Sequence, residues 1–144
     1  MIAVDTNVLV YAHRQDSPFH EPAAAAMRDL AESASTWAIP WTCLHEFYAV
    51  VTNRRIFAPP STREQALDQI DAWCASPSVA LLTESVNHLE ILGDLIRQAH
   101  LTGPSVHDAR IAATCLSHGV RELLTLDRDF SRFPALRTRS LLSG

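Results

Sequence analysis

Near its start the chain reads Ile2-Ala3-Val4-Asp5-Thr6-Asn7, an apolar triplet that runs directly into a carboxylate and two polar residues. Such a triplet is typical of a buried central strand in a parallel sheet. A similar arrangement recurs near the other end of the sequence, where the stretch 121–126, which contains Leu123, Leu124 and Leu126, leads into Asp127. In open α/β sheets, ligands bind beyond the carboxyl ends of the strands. The two acids Asp5 and Asp127 therefore mark a candidate site.

Between these stretches, short apolar segments alternate with amphipathic ones, a pattern that predicts an α/β fold with a parallel sheet covered on both faces. Its 144 residues contain no repeat and no long linker, so we expect one domain spanning residues 1–144. We predict strands at 2–4, 36–39, 79–82 and within 121–126, with an edge strand at 137–141. Helices are predicted at 7–13, 21–34, 42–53 and 106–118, and, with their capping residues included, at 61–75 and 85–100. A short helical turn and loop is predicted at 130–136.

Several helix ends have recognisable signals. Ser61-Thr62-Arg63-Glu64 and Ser105-Val106-His107-Asp108 both match the capping-box pattern at the start of a helix. Gly119 stands where a left-handed C-terminal cap is expected. In the helix that Ser85 would cap, we predict an apolar stripe that faces the core and consists of Val86, Leu89, Leu92 and Ile96.

The charge and cysteine content limit the classes of protein. The net charge is −4 and all 12 basic residues are Arg, whereas domains that bind nucleic acid through charge alone are basic. A nucleic-acid substrate must therefore be argued from the site. Cys43, Cys74 and Cys115 are widely spaced and typical of buried thiols in a reducing compartment. Without a signal-peptide pattern or an apolar run of ~18 residues, we expect a cytoplasmic protein with no membrane segment.

Two further acids lie on predicted helices. Glu46 stands among apolar residues near the start of its helix, where a carboxylate is expected to be partly buried or at the edge of a cleft. Asp108 lies in the first turn of its helix and can point past the helix end into a cleft. Each acid also has a structural alternative, because Asp is favoured in caps and turns and Glu46 would also be favourable near a helix N-terminus.

Carboxylates that converge without a counter-charge raise one another's pKa and oppose folding. A divalent cation removes that cost, and all-oxygen ligands suit Mg²⁺ or Mn²⁺. Such an ion activates water and orients a phosphodiester, which predicts direct hydrolysis without a covalent intermediate. Zinc is disfavoured because the seven His residues offer no HxxxH pair and the Cys residues no CxxC. His45 and His107, which adjoin Glu46 and Asp108, are weaker catalytic candidates.

Taken together, these motifs resemble a known family. The order of Asp5-Thr6-Asn7, Glu46, Val106-His107-Asp108-Ala109 and Leu124-Thr125-Leu126-Asp127-Arg128-Asp129-Phe130 is similar to that in PIN-domain ribonucleases, and more narrowly in the toxins of VapBC-type toxin–antitoxin pairs. The resemblance spans essentially the whole chain. It implies a three-layer α/β/α sandwich around a parallel sheet of four to five strands in the order 3-2-1-4-5.

The resemblance also implies roles for individual residues. The catalytic acids would be Asp5, Glu46, Asp108 and Asp127, which together with Asp129 would hold Mg²⁺ or Mn²⁺. Thr6, Asn7 and Thr125 would orient the carboxylates or water. The implied reaction is endonucleolytic cleavage of RNA, with a small cognate antitoxin as inhibitor and a homodimer as the assembly. Because the chain is acidic, RNA binding would need a local rim of Arg, for which the candidates are Arg14, Arg54, Arg55 and Arg128.

Other functions are also compatible with the sequence. One is a housekeeping PIN-domain nuclease without an antitoxin, and another is a non-catalytic binding module in which the acids are caps and solvated charges. A phosphatase with Asp5 as nucleophile is disfavoured, because position 7, where such enzymes carry a second Asp, is Asn and the chain has no Lys. A small upstream reading frame would favour the toxin, and a thermal shift that depends on metal would exclude the binding module.

Overall fold

The computed structural model describes residues 1–142 and is built on five parallel strands. They are β1 (Ile2–Val4), β2 (Trp37–Pro40), β3 (Val79–Leu82), β4 (Glu122–Leu124) and β5 (Arg137–Arg139). Their order in the sheet is β3-β2-β1-β4-β5, so β1 lies between β2 and β4. The chain builds outward from β1 in one direction and then crosses back to β4, which places the topological switch point between these two strands. The predicted α/β fold and strand order are confirmed.

Six α-helices connect and cover the strands: α1 (Thr6–His13), α2 (His20–Glu32), α3 (Trp41–Val51), α4 (Arg63–Cys74), α5 (His88–Ala99) and α6 (Val106–Ser117). Two short 3₁₀ segments, Gly103–Ser105 and Arg128–Arg132, precede α6 and follow β4. Helix α1 packs against α2 and α3, and α5 packs against α6. No helix within residues 1–142 is long and apolar enough to cross a membrane.

The central strands are buried because their side chains are apolar on both faces of the sheet. Ala3 and Val4 of β1 are fully buried, and all four residues of β2 are buried. Burying a large apolar side chain contributes about 1.5–3 kcal/mol, so this core holds the strand ends firmly. Of the three free cysteines, Cys43 and Cys115 are buried as expected and Cys74 is half-buried.

Backbone hydrogen bonds extend beyond the ends of the central strands. The Asp5 amide donates to the Leu124 carbonyl at 3.0 Å, and the Thr125 amide donates to the Arg139 carbonyl at 3.0 Å. Strand β1 is in register with β4 through Val4 and Leu124. The residues that follow these two strands are therefore brought side by side at the switch point.

The capping box of α4 begins one residue later than predicted. The Thr62 hydroxyl accepts the Gln65 amide at 3.1 Å, and the Gln65 side chain accepts the Thr62 amide at 2.9 Å. Gln can accept the backbone amide of the capping residue as Glu does, so the shifted box satisfies the same number of backbone amides. Ser61 is instead buried, and its hydroxyl bonds the His13 ring and the Arg14 guanidinium.

The start of α6 also differs from the prediction. The 3₁₀ segment Gly103–Ser105 leads into the helix, and the Ser105 hydroxyl donates to the Thr102 carbonyl at 2.7 Å instead of capping α6. Asp108 therefore has no capping-box partner, which leaves its carboxylate available for other contacts. At the other end of α6, Gly119 has a φ of 77°, as the expected left-handed cap requires.

Helix α5 begins at His88 after the capping position Asn87, two residues later than predicted, because the Ser85 hydroxyl accepts the Asn87 amide in a local turn. The predicted apolar stripe is therefore wrong at its start. Val86 is fully exposed and Leu89 is largely exposed. Leu92 and Ile96 do pack against the core, together with the buried Leu95. The remaining strand and helix bounds agree with the predictions to within two residues.

Candidate active site

A cavity of about 350 Å³ lies at the carboxyl ends of β1 and β4. Four acids far apart in the chain line it together: Asp5, Glu46, Asp108 and Asp127. The remaining wall is formed by Thr6 and Asn7 and by apolar side chains from α1, α3, α6 and the turn after α3, namely Val10, Tyr11, Val50, Ile56, Phe57 and Ile111. The structure therefore brings the four predicted catalytic acids to one place.

Three carboxylates form a tighter group at one part of this site. One oxygen each from Asp108, Asp127 and Asp129 lies within 4.8 Å of the others. We refer to these three residues as the acidic triplet. Asp108 and Asp127 are half-buried and Asp129 is exposed. A set of donors made only of carboxylate oxygens suits a hard cation such as Mg²⁺ or Mn²⁺. Asp5 and Glu46 are not members of the triplet, although they line the same cavity as two of its residues.

Asp5 is the most deeply buried of these acids, at 5% exposure. It caps α1, since its Oδ1 accepts the Thr6 amide at 2.8 Å, while its Oδ2 accepts the Thr125 hydroxyl at 2.7 Å. Burial raises the pKa of Asp5 to about 6, against the lowering effect of those two hydrogen bonds, and the charges of Glu46 and Asp127 add to the rise. Capping a helix and lining the site are thus combined in one residue.

Glu46 and Asp5 are connected through Thr6. The Thr6 hydroxyl donates to Glu46 Oε2 at 2.8 Å, while the Thr6 amide bonds Asp5. Because Thr6 opens α1 and Glu46 lies in α3, this contact fixes the position of the Glu46 carboxylate relative to the end of β1.

Thr125 and Asn7 form the corresponding connection to Asp127. The Thr125 hydroxyl accepts the Asp127 amide at 2.9 Å and Asn7 Nδ2 at 3.4 Å, while the side-chain Oδ1 of Asn7 accepts the Leu126 amide at 3.4 Å. Asp127 in turn caps the 3₁₀ segment Arg128–Arg132 by accepting the Asp129 amide at 2.8 Å. The three predicted orienting residues thus all contact an acid or the backbone beside it.

The acidic triplet concentrates negative charge. The pKa of Asp108 is raised by its partial burial and by the charges of Asp127 and Asp129, and these effects outweigh the lowering effect of Arg132. A raised pKa means that the anionic form is short of stabilising partners. The triplet therefore has the electrostatic character of a site that would bind a cation.

Arg132 is a site residue that sequence reasoning missed. Its Nη2 lies 3.1 Å from Asp108 Oδ2 and 3.8 Å from Asp129 Oδ2, and its Nε donates to the Asp129 carbonyl at 3.0 Å. The signal was present, because Asp129 and Arg132 are three residues apart in a helical turn, a spacing at which side chains meet. The segment was instead predicted to begin at Phe130, which left Asp129 outside the turn.

The PIN domain family profile matches residues 2–136. VapC ribonuclease Mb2897 from Mycobacterium bovis is 35% identical over all 144 residues of this chain and 97% of its own length. This chain belongs to the PIN-domain family, among the VapC ribonucleases. Ribonuclease VapC37 from Mycobacterium tuberculosis is 31% identical over 137 residues, which cover 95% of this VapC-type chain and 94% of that protein.

Solved structures confirm the fold of this VapC-type domain. VapBC2 from Rickettsia felis, bound to a promoter DNA fragment, matches with a TM-score of 0.70 at 22% identity and covers 97% of this chain and 98% of that one. VapC20 from Mycobacterium tuberculosis, described as a toxin that cleaves the sarcin–ricin loop, matches with a TM-score of 0.68 at 20% identity, covering 91% and 93%.

The four predicted rim arginines of this VapC-type domain differ in their surroundings. Arg14 is largely buried, makes a two-point ion pair with Asp16 at 2.6 and 2.9 Å, and lies over the Phe57 ring. Arg54 and Arg55 are exposed in the turn that leads to the cavity wall, and Arg128 is exposed beside Asp127. Three of the four are therefore at the surface near the site, while Arg14 is engaged within the fold.

The two weaker histidine candidates lie outside the cavity of this VapC-type domain. His45 is exposed and lies against the Trp41 ring, and His107 is exposed at the start of α6. The cluster of potential metal ligands found among residues 1–142 consists of the three aspartates of the triplet and contains no His or Cys. This ligand chemistry favours an oxygen-preferring cation over zinc.

Proposed function

We propose that this chain is the toxin of a type II toxin–antitoxin pair, an endoribonuclease that hydrolyses RNA phosphodiester bonds with bound Mg²⁺ or Mn²⁺. The ion would be held by the acidic triplet with Asp5 and Glu46. The observation that carries the proposal is the convergence of four acids on one cavity with little positive charge beside them. Arg132 is the one cationic side chain that contacts an acid of the triplet within the part of the chain that the structure describes.

When bound, the ion would lower the pKa of a coordinated water and polarise the phosphodiester. The role proposed for Asp5 is that of a ligand to the ion. Burial raises its pKa to about 6 in the metal-free protein, so it is mostly an anion at neutral pH. Thr6 and Thr125 each occupy one site on its two oxygens, so a lone pair remains on each oxygen to bind the ion.

The cavity wall supports single-stranded RNA as the substrate. Tyr11 and Phe57 line the cavity beside the acids, and Arg14 covers one face of the Phe57 ring. Unpaired bases stack on such rings, whereas bases in a duplex are not accessible to them. The exposed Arg54, Arg55 and Arg128 would supply contacts with the phosphate backbone around the acidic cavity.

For partners, we propose a small cognate antitoxin and a homodimer, acting in the cytoplasm. The Rickettsia felis structure is named as a VapBC assembly, and its toxin-like fold covers nearly all of this chain. A cavity that is acidic at its base and apolar on its wall suits a peptide segment that carries apolar residues and one basic side chain. A short reading frame that overlaps the start of this gene would support the toxin pair.

RNA cleavage by the purified protein tests the chemistry. We expect cleavage of single-stranded RNA in Mg²⁺ or Mn²⁺, none in EDTA, and none by Asp5→Asn or Asp108→Asn in either metal. Asp94→Asn is the matched control, because Asp94 is exposed and pairs with Arg97 on α5, and it should cleave like the wild type. Cleavage by the wild type in excess chelator would show that the mechanism is wrong.

Expression in cells tests the toxin role separately. Growth arrest that is relieved by co-expression of the neighbouring small protein is expected, and Asp108→Asn should cause no arrest. A housekeeping nuclease would give the same cleavage in vitro, but co-expression of a neighbouring protein would not reverse its effect. The binding-module alternative predicts no cleavage under any of these conditions.

A further inference from the structure

Arg132 lies against the acidic triplet with only part of its guanidinium in use. Nη2 contacts Asp108 Oδ2 at 3.1 Å, and Nε donates to the Asp129 carbonyl at 3.0 Å. Its Nη1 has no acceptor among residues 1–142, and the side chain is 33% exposed. A guanidinium carries five N–H donors, so the unused ones remain available to a ligand from solvent.

The free edge of this guanidinium suits a phosphate. Arg binds phosphate oxygens through paired N–H donors and stays charged at any physiological pH. The group is also held in place, because the Nε contact to a backbone carbonyl and the Nη2 contact to Asp108 fix its plane. A phosphate drawn to a cation at the triplet would lie beside Arg132, since Nη2 is already within hydrogen-bond distance of a triplet oxygen.

We propose that Arg132 is a substrate-contacting residue that binds a phosphate of the RNA at the acidic triplet. This inference rests on the proposed function and adds to it a residue that none of the four rim candidates supplies. Arg132 balances part of the charge of Asp108 through Nη2. With an ion held at the triplet, the unused Nη1 edge would be left for the phosphate, while the Nε contact to the Asp129 carbonyl keeps the guanidinium in place.

A phosphate-binding role of Arg132 and a purely structural role predict different changes in the affinity for the divalent ion. If Arg132 binds phosphate, its removal weakens RNA binding and leaves the affinity for the divalent ion unchanged or higher, because a neighbouring positive charge is gone. If Arg132 only holds Asp108 in position, its removal weakens ion binding, and RNA binding falls only as a consequence.

The RNA-binding test uses chains that carry Asp5→Asn, so that the RNA stays intact during the measurement. The ion-binding test contains no RNA and uses chains that keep Asp5, because Asp5 is one of the proposed ligands. Arg132→Ala, Arg132→Gln and Arg132→Lys are compared with the parent and with Arg110→Ala. Arg110 is the matched control, since it lies on α6 and forms an exposed ion pair with Glu84 outside the cavity. Fluorescence anisotropy of a labelled single-stranded RNA in Mn²⁺ at several KCl concentrations gives RNA affinity, and calorimetric titration with Mn²⁺ alone gives ion affinity.

For Arg132→Ala and Arg132→Gln we expect RNA affinity to fall about tenfold or more, as for loss of a charged hydrogen bond. The salt slope, which is the slope of log RNA affinity against log KCl concentration, should become shallower by about one. The Mn²⁺ dissociation constant should stay equal or fall. Arg132→Lys should keep the salt slope and lose part of the affinity. Arg110→Ala should match the parent in both measurements.

Two outcomes would overturn the inference while the proposed function stands. One is an RNA affinity of Arg132→Gln equal to that of Arg110→Ala, and the other is a loss of Mn²⁺ affinity as large as the loss of RNA affinity. If the parent binds no RNA and the wild type cleaves none, it is the proposed function that fails. Circular dichroism of each variant confirms its fold, and Arg132→Lys decides the question if the neutral variants do not fold.

Discussion

The Thr125 hydroxyl donates a 2.7 Å hydrogen bond to Oδ2 of Asp5, across 120 positions of sequence. Both residues are buried, and each follows one of the two central strands. The same hydroxyl accepts the amide of Asp127. One small side chain thus connects the end of β1, the end of β4 and the start of the acidic triplet. The separation of the carboxylates is therefore determined by the register of the two strands.

Thr125→Val removes this connection and keeps the shape of the side chain. The bond lowers the pKa of Asp5, so its loss should raise that pKa above about 6. Protons should then compete more strongly with the divalent ion for Asp5, so at subsaturating Mn²⁺ the acid limb of the pH–rate profile should move to higher pH, with a larger loss of activity near pH 6 than near pH 8. The amide of Asp127 also loses its acceptor, at a cost of about 1–3 kcal/mol in the free energy of unfolding. Thr138→Val, on the exposed strand β5, is the control; an identical shift in both variants would contradict this assignment.

Asp5→Asn should stabilise the metal-free protein at high pH. Folding raises the pKa of Asp5 from 3.8 to about 6, so the folded state binds the proton more tightly. The contribution of Asp5 to stability is therefore fully present below about pH 4 and is lost as the pH rises through about 6. Relative to wild type, the variant should gain roughly 2–3 kcal/mol at about pH 8 and almost nothing at about pH 4. Urea unfolding in EDTA at both pH values measures the free energy of unfolding of the variant and the wild type. If the two proteins differ by the same amount at both pH values, burial of the Asp5 charge is not the cause of the difference.

Addition of Mn²⁺ should raise the melting temperature of the wild type at neutral pH. An ion that binds only the folded state stabilises it by about 2.7 kcal/mol at 100 times its dissociation constant. The shift should disappear in Asp108→Asn, persist in Asp94→Asn and be reversed by EDTA. It should also weaken as the pH falls, because protons compete for the same carboxylates. An equal shift with NaCl at matched ionic strength would show that the effect is screening and not binding.

The placement of Asp5 and Asp127 could be predicted from the sequence because it depends on topology alone. Each acid follows a short apolar strand, and the carboxyl ends of neighbouring parallel strands meet at one edge. Glu46 was predictable as an acid within an apolar helical segment, although its partner Thr6 could not be named from spacing. Asp108 could be assigned to the same site as these three acids only from the resemblance to PIN domains.

The exact starts of the helices could not be predicted, because they depend on local hydrogen bonds for which neighbouring residues offer more than one suitable donor or acceptor. Ser105 matched a capping box but bonds the Thr102 carbonyl, because a 3₁₀ segment precedes α6. Likewise, Thr62 and not Ser61 caps α4. Arg132 was missed because the 3₁₀ segment begins at Arg128, two residues before the predicted turn, which brings Asp129 and Arg132 onto the same side. Differences of one or two residues at element ends thus decided which side chains meet.

The predicted arginine rim should separate into two classes when tested by substitution. Arg14 is 12% exposed, pairs with Asp16, contacts the Pro59 carbonyl and lies 4.3 Å from the Phe57 ring centroid. Its replacement by Ala should lower the free energy of unfolding by about 1–3 kcal/mol, because it leaves these partners without their donor. RNA affinity of the folded fraction should change little, since the guanidinium is already occupied.

Arg54 and Arg55 should behave in the opposite way. Both are exposed in the turn before the cavity-lining Ile56 and Phe57, and neither forms an ion pair within residues 1–142. The double replacement by Ala should leave the free energy of unfolding within about 0.5 kcal/mol of the wild type. It should weaken RNA binding and reduce the salt slope by roughly two, one for each phosphate that the protein no longer neutralises. Anisotropy and urea unfolding on the same samples distinguish the classes. If an Arg14 variant lost RNA affinity but kept the free energy of unfolding of the wild type, Arg14 would be an RNA-binding residue, as the sequence predicted.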